Sequence, residues 1–294
     1  MDWKSKKIEA ILEQALIEDK ATSDVTTAIT IDPSLRATAT IIAKQDCVVS
    51  GLGSISRFLD IYARLDGKPS GRYEVISHPE MFDGVNVRKG QSIAVIRHNA
   101  RVILSCERVI LNLMQRMSGI ATLTRQYVDT VKGTNTHILD TRKTIPGLRV
   151  LDKYAVSCGG GENHRLDLSD GILIKNNHIS LGGGIEKVLA RAHELRRGTQ
   201  TIDIEVRSFD ELRAALDNGA ESLLLDNMSP ADVKKAVKII RERGANIPTE
   251  ASGGITLSNV RKYAETGVDY ISVGALTHSA PAVDLSMKIT AEIY

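Results

Sequence analysis

From about residue 171 to residue 274 the chain alternates short apolar runs with amphipathic helical segments, and this alternation restricts the fold more than any other feature. The runs are GILIK, TIDIEV, ESLLLD, IPTEAS and DYISVG; between them lie GIEKVLARAHELR, SFDELRAALDNG, SPADVKKAVKIIRERG and TLSNVRKYAETG. Apolar runs of this length, bounded by Gly, Asn or charged turns, read as buried strands. Ser208, Ser229 and Ser258 stand where helix N-caps belong, Pro230 stands in a first turn, and Gly219, Gly244 and Gly267 stand where helices stop. Strand–helix units at this spacing predict a parallel sheet with right-handed crossovers. With HILD at 137–140 added, six strands in succession suit a parallel α/β barrel.

The preceding part of the chain has a different texture. Lys6 to Asp19 carries Ile8, Ile11, Leu12, Ala15 and Leu16 at the spacing of an amphipathic helix. From Asp24 to about Arg97 the runs ATATIIAK, DCVVSGL, YEVISH and QSIAVIR are separated by Gly, Pro and Asp turns, with GSISRFLDIYARL as a helix among them and a hairpin expected around Lys89-Gly90. This is an α+β pattern with a largely antiparallel sheet, and its bland reading is a packing or oligomerisation domain. A long helical pattern then runs from Ala100 to about Lys132, in which Gly119 marks a break or a close packing contact. The expected organisation is an N-terminal domain over 1–115, an α/β barrel over 116–278, and a C-terminal helix over 279–294 packing on the first domain.

Polar residues gather at the strand ends. The stretch from Ile138 to Ile179 sets Asp140, Arg142, Lys143, His164, Arg165 and Lys175 around the two runs HILD and GILIK. Arg142, Lys143 and Lys175 fall just past C-terminal strand ends, where α/β barrels carry their chemistry, and the GGGENHR turn adds His164 and Arg165. Cations converging on one mouth need anions to face them, and a small ligand with several carboxylates or phosphates is the economical partner. Glu205, Asp226, Glu250, Ser252 and Gly274 follow the later strands. Each alone is as readily a helix cap or loop charge, but together they describe a barrel mouth with a cationic half and an acidic half. The Ser252-Gly253-Gly254 turn opens a helix and, with the turn at Gly274, offers backbone N–H groups to a phosphate. Glu205 and Asp226 can steady a divalent metal on a phosphorylated substrate or positive charge developing on a sugar carbon. The two halves suit phosphoribosyl transfer to a carboxylated ring.

Composition narrows the alternatives. Lys plus Arg number 38 against 36 Asp plus Glu, and a net charge of +2 gives no sign of a nucleic-acid surface. Three cysteines lack metal or redox spacing and read as reduced thiols. No apolar stretch has signal-peptide or membrane-span length, so a cytoplasmic protein is expected. GxGxxG, Walker A, HExxH and GxSxG patterns are missing, which disfavours dinucleotide, nucleoside-triphosphatase, zinc-protease and serine-hydrolase readings.

The segments ERVILNLMQRMSGIAT, LDTRKTIPGLRVLDKYAVSCGGGENHRLDLSDGILIKNNHI, LLLDNM, EASGGI and ISVGALTHSAPAVDLSMKI resemble those of the quinolinate phosphoribosyltransferase family of NAD biosynthesis, over nearly the whole chain. The resemblance implies an N-terminal open sandwich domain, an incomplete α/β barrel, and a homodimer whose active site is shared between subunits. It implies conversion of quinolinate and phosphoribosyl pyrophosphate to nicotinate mononucleotide, pyrophosphate and CO2 with Mg²⁺. By the same resemblance Arg142, Lys143, His164, Arg165 and Lys175 bind quinolinate, with Arg108 reaching it from the partner subunit. Glu205 and Asp226 match the ribose and metal side, and Ser252, Gly253, Gly254, Gly274 and His278 the phosphate side; Lys143, Lys175, Glu205 and Asp226 form the catalytic set. Ser23 and His98-Asn99 depart from the family pattern, outside the expected site. Three alternatives stay open: a nicotinate phosphoribosyltransferase, a ModD-like homologue, and a non-catalytic barrel that binds a polyanion.

Overall fold

A computed structural model describes residues 1–67, 71–244 and 246–292. The chain forms two compact units: Met1–Leu123 with Ile145–Gly160 and the residues from Ala280 onward make one, and Thr124–Thr144 with Gly161–Ser279 make the other.

In the first unit helix α1 (Lys6–Glu18) buries Ile8, Leu12 and Leu16, one turn apart on one face, as their spacing requires. The strands are β1 (Arg36–Ala43), β2 (Cys47–Val48), β3 (Glu74–Ile76), β4 (Asn86–Val87), β5 (Ser92–Asn99) and the last strand of the chain, β12 (Leu285–Ala291). Four of them form an antiparallel sheet in the order β12-β1-β5-β3, and β2 pairs with β4. β1 alternates half-buried and buried residues along its length, the signature of a sheet with one face on a core. Two expectations fail here. The C-terminal segment is a strand rather than a helix: Leu285, Met287 and Ile289 alternate with the polar residues Ser286, Lys288 and Thr290, and β12 docks antiparallel along β1. The turn at Lys89-Gly90 joins strands that do not pair with each other: β4 goes to β2 and β5 to β1 and β3.

After the helices α2 (Val25–Thr30) and α3 (Ser54–Asp66), the long helix α4 (Ala100–Thr130) is continuous through Gly119. Its glycine serves packing, since a Cβ there would lie 2.1 Å from the carbonyl oxygen of Pro281. Nearby on α4, Arg116 grips Asp152 of α5 (Arg149–Cys158) through two hydrogen bonds of 3.0 and 2.7 Å. Asp152 is fully buried; burial raises its carboxyl above the usual range, and the Arg116 guanidinium draws it back down. His98 is buried and stacked on Tyr73 with ring centroids 5.5 Å apart. Burial, aided by the nearby Arg36 charge, pushes its imidazole down to about 4.

The second unit holds a parallel sheet of β6 (His137–Leu139), β7 (Ile172–Ile174), β8 (Ile202–Val206), β9 (Ser222–Asp226), β10 (Thr249–Ser252) and β11 (Tyr270–Ser272), in the order β6-β11-β10-β9-β8-β7. That is the cyclic order of a barrel with one pairing missing: β6 and β7 are both edges, so the expected incomplete barrel is present. Ser208 and Ser229 cap their helices by accepting the N–H groups of Glu211 and Asp232, both at 3.2 Å. Ser258 does not cap; Asn259 holds that position before the helix Val260–Ala264, and its side-chain oxygen accepts the N–H of Thr256 at 2.8 Å. Among the described residues no helix is long and apolar enough to cross a membrane.

Two stability predictions follow from these contacts. Gly119→Ala forces the Pro281 backbone away and should cost about 2 kcal/mol or more, read as a lower urea midpoint with an unchanged m-value. For His98 the folded-state value lies below the unfolded one near 6.5, so its contribution is complete above pH ~6.5 and is lost as pH falls towards 4. His98→Phe should therefore remove an acid-sensitive contribution of about 2–3 kcal/mol, seen as a smaller loss of stability than wild type between pH 7 and 4.

Candidate active site

One cavity of about 650 Å³ opens at the C-terminal ends of the parallel strands, wholly within the second unit. Its geometry starts with Asp140, just past β6. This carboxylate is fully buried and accepts the backbone N–H of His164 at 2.9 Å, while the Asp140 N–H donates to the Glu162 carbonyl at 3.1 Å. These bonds bring the GGGENHR turn beside the end of β6, so that Arg142 and Lys143 from one segment and His164 and Arg165 from the other line the same cavity. Lys143 is held from behind: its carbonyl accepts the Thr277 hydroxyl at 2.8 Å, and its side chain crosses Gly274, where a Cβ would lie 3.0 Å from Lys143 Cδ. Gly274 thus leaves room for a cation to pass.

The cationic wall is electrostatically strained. Burial and the adjacent Arg142 guanidinium push Arg165 below the ordinary arginine value, with Asp203 and Asp170 acting in the opposite direction. The ring of His164 is committed on both sides: Nδ1 accepts the Arg165 N–H at 2.7 Å, and Nε2 lies 3.3 Å from Glu250 Oε2. Glu250 is buried, and its Oε1 has no hydrogen-bond partner among the described residues. Behind the wall, burial raises Asp203 above the usual carboxylate range; the Ser222 hydroxyl, His164 and Arg165 counter this, and Glu250 reinforces it.

The acidic half stands opposite. Lys175, past β7, approaches Glu205 of β8 at 3.6 Å, and Asp226 ends β9. Ser252 ends β10, and Gly253 and Gly254 follow with φ of 93° and 62°, two successive positive-φ positions open to glycine. His278 lines the same cavity, its Nδ1 2.5 Å from the Ser279 hydroxyl.

Of the residues singled out from the sequence, Arg142, Lys143, His164, Arg165, Lys175, Glu205, Asp226, Ser252, Gly253, Gly254, Gly274 and His278 all line this cavity. Arg108 does not: it sits on α4 in the first unit, 62% exposed and 3.0 Å from Glu107. The structure adds Glu250 and Asn227 to the cavity wall. Glu250 was visible as a strand-end acid; Asn227 sits in the LLLDNM segment, where its type alone suggests only a turn.

Family profiles match on both sides of the chain, the quinolinate phosphoribosyl transferase C-terminal domain over residues 120–288 and the N-terminal domain over 24–118. The chain belongs to the quinolinate phosphoribosyltransferase family. Within this family it is similar to the probable nicotinate-nucleotide pyrophosphorylase (carboxylating) of Bacillus subtilis, 40% identical across 97% of this chain and 94% of that one. The corresponding protein of Mycobacterium leprae is 39% identical across 95% of each chain. The crystal structure of NadC from Streptococcus pyogenes superposes with a TM-score of 0.90 at 34% identity, covering 100% of both chains.

Removing the Asp140 carboxylate leaves the His164 N–H without its buried acceptor. Asp140→Ala should cost about 1–3 kcal/mol in thermal or urea unfolding and loosen the 161–165 turn, visible as faster amide exchange at His164.

Proposed function

We propose that the cavity holds quinolinate against its cationic wall and phosphoribosyl pyrophosphate against its acidic and glycine-rich wall. The chain is a phosphoribosyltransferase that converts these two substrates to nicotinate mononucleotide, pyrophosphate and CO2. The observation that carries the site assignment is that the half-buried Arg142 and Arg165 line one cavity with Glu205 and Asp226; burial, and after it the neighbouring Arg142 charge, lowers Arg165. Such a pair wants a ligand bearing two carboxylates, and guanidinium forks meet carboxylates in a bidentate way. Lys143, His164 and Lys175 complete this wall.

The electron flow needs no protein nucleophile. The ribose C1–oxygen bond to pyrophosphate breaks as the pyridine nitrogen attacks C1, so positive charge passes from an oxocarbenium-like carbon to a pyridinium ring. The C2 carboxylate then departs as CO2, its bonding electrons are held beside the pyridinium nitrogen, and C2 takes up a proton. The chain's contribution is positioning and electrostatics. Glu205 and Asp226 face the carbon that becomes positive, Ser252, Gly253, Gly254 and Gly274 hold phosphate, and His278 adds a ring at that end.

Mg²⁺ fits the donor set. Among the described residues no group of three or more His, Cys, Asp or Glu side chains is arranged to hold an ion, whereas Glu205 and Asp226 supply two carboxylates, and Mg²⁺ is commonly held by one or two carboxylates plus substrate oxygens. Bound there, it would neutralise charge on the departing pyrophosphate.

A homodimer with a shared site is part of the proposal. Arg108 is exposed and lies outside the cavity, and the apolar side chains of Val25 and Ile29 in the same unit are 74% and 84% exposed. Arg108 of the partner subunit would then complete the cationic wall. A cytoplasmic location accords with cysteines 47, 106 and 158, all present as thiols.

Purified protein with quinolinate, phosphoribosyl pyrophosphate and Mg²⁺ should release nicotinate mononucleotide and CO2 in equal amounts, while nicotinate in place of quinolinate should give no product. Arg142→Ala or Lys175→Ala should lower kcat/KM for quinolinate by the equivalent of about 2–4 kcal/mol, roughly 30- to 1,000-fold. Near-wild-type kinetics in both variants would remove these residues from the site.

A further inference from the structure

Asn227 has a backbone conformation that few side chains adopt. Its φ is 54°, and apart from Lys20 it is the only non-glycine residue with positive φ among the described residues. Such conformations persist where surrounding contacts over-determine them, and they concentrate at functional sites. Three contacts do so here. The Asn227 N–H donates to the Ser252 carbonyl at 2.8 Å, which ties the end of β9 to the end of β10. The side-chain Nδ2 donates to Asp226 Oδ2 at 2.8 Å. The Oδ1 on the other side faces Gly253, where a Cβ would come within 2.4 Å of it. The amide orientation is fixed by this network, because only Nδ2 can donate to a carboxylate.

We propose that Asn227 is a positioning residue: it sets the direction of the Asp226 carboxylate and, by filling the space over Gly253, holds the phosphate turn in register with that carboxylate. The inference rests on the proposed roles of Asp226 and of the 252–254 turn. It explains why position 253 accepts no side chain, and why a left-handed residue with a forked amide stands there in place of a glycine. A glycine would keep the backbone path but lose both contacts. Hydrogen-bonded partners of ligand-holding carboxylates commonly matter as much as the carboxylates' own placement.

The experiment is calorimetric binding of phosphoribosyl pyrophosphate, with and without Mg²⁺, and separately of quinolinate, to the full chain and to Asn227→Gly, Gly253→Ala and the double variant. Asn227→Gly suits the positive φ, so its thermal midpoint should match wild type. Its affinity for phosphoribosyl pyrophosphate with Mg²⁺ should fall about 10- to 100-fold, and its quinolinate affinity should stay unchanged. Gly253→Ala should show the same selective loss. The double variant should lose less than the sum of the two single losses, since the clash partner is gone while the strain of a side chain at φ 93° remains. Asn227→Gly binding phosphoribosyl pyrophosphate like wild type, or losing both ligands equally, overturns the inference. Should Asn227→Gly fail to fold, Asn227→Ser, which also removes the Nδ2 donor and adds no charge, decides: a selective loss supports the inference, and an even or absent loss overturns it. Wild type binding neither substrate overturns the functional reading as well, whereas wild type binding both while the variants do too sinks only the role of Asn227.

Discussion

The hydrogen bond from the His164 N–H to the buried Asp140 carboxylate is what makes a site out of two remote pieces of chain. The residues are 24 apart in sequence, and the bond between them is 2.9 Å. A buried carboxylate must be satisfied, and a backbone N–H just before Arg165 satisfies it. Because that donor belongs to the backbone, it fixes the path of the turn as well as its proximity. Arg142 and Lys143 leave the end of β6 at the same level as His164 and Arg165 leave the turn. The segment between, Ile145–Gly160, contributes α5 to the other compact unit. There Asp152 of α5 is gripped by Arg116 of α4, so the stretch that carries most of the cations is anchored by buried carboxylates in both units.

Once assembled, the wall is held in a state of partial compensation. Burial, and after it the Arg142 charge, lowers Arg165, burial raises Asp203, and one Glu250 oxygen has no hydrogen-bond partner among the described residues. A site intended to stay empty would pair these groups internally, since burying charge without a partner is costly. Here cations and acids share one cavity, and in the proposed function the cationic wall meets the two carboxylates of quinolinate. On the acidic side Lys175 stands 3.6 Å from Glu205, an ion pair across the cavity wall.

Much of this was legible from residue patterns. Parallel strands with Ser caps and Gly stops predict the parallel sheet and the level at which polar residues emerge, and the cations of LDTRK and GGGENHR meet where strand ends meet; that the barrel is incomplete came only with the family resemblance. The C-terminal strand was misread because the short alternating run Leu285, Met287, Ile289 can also be threaded onto a helix; only its antiparallel docking on β1, some 250 positions away, settles its form. Ser258 failed as a cap because Asn259, one residue on, holds its own local bond to Thr256. Glu250 and Asn227 gained their significance from neighbours on other strands, His164 and Gly253, which no local spacing can reveal. Position 98 shows the same limit: its departure from the family pattern was visible, but burial against Tyr73 was not.

The missing pairing between β6 and β7 gives the cavity a mechanical property. In a closed ring, backbone bonds fix the distance between neighbouring strand ends; here Arg142 and Lys143 emerge from one lip of a slit and Lys175 from the other, with no ladder across it. In the proposed function an anion held by Arg142 and Lys175 would bridge two strand ends that no ladder joins directly, and its binding would then be thermodynamically linked to their separation.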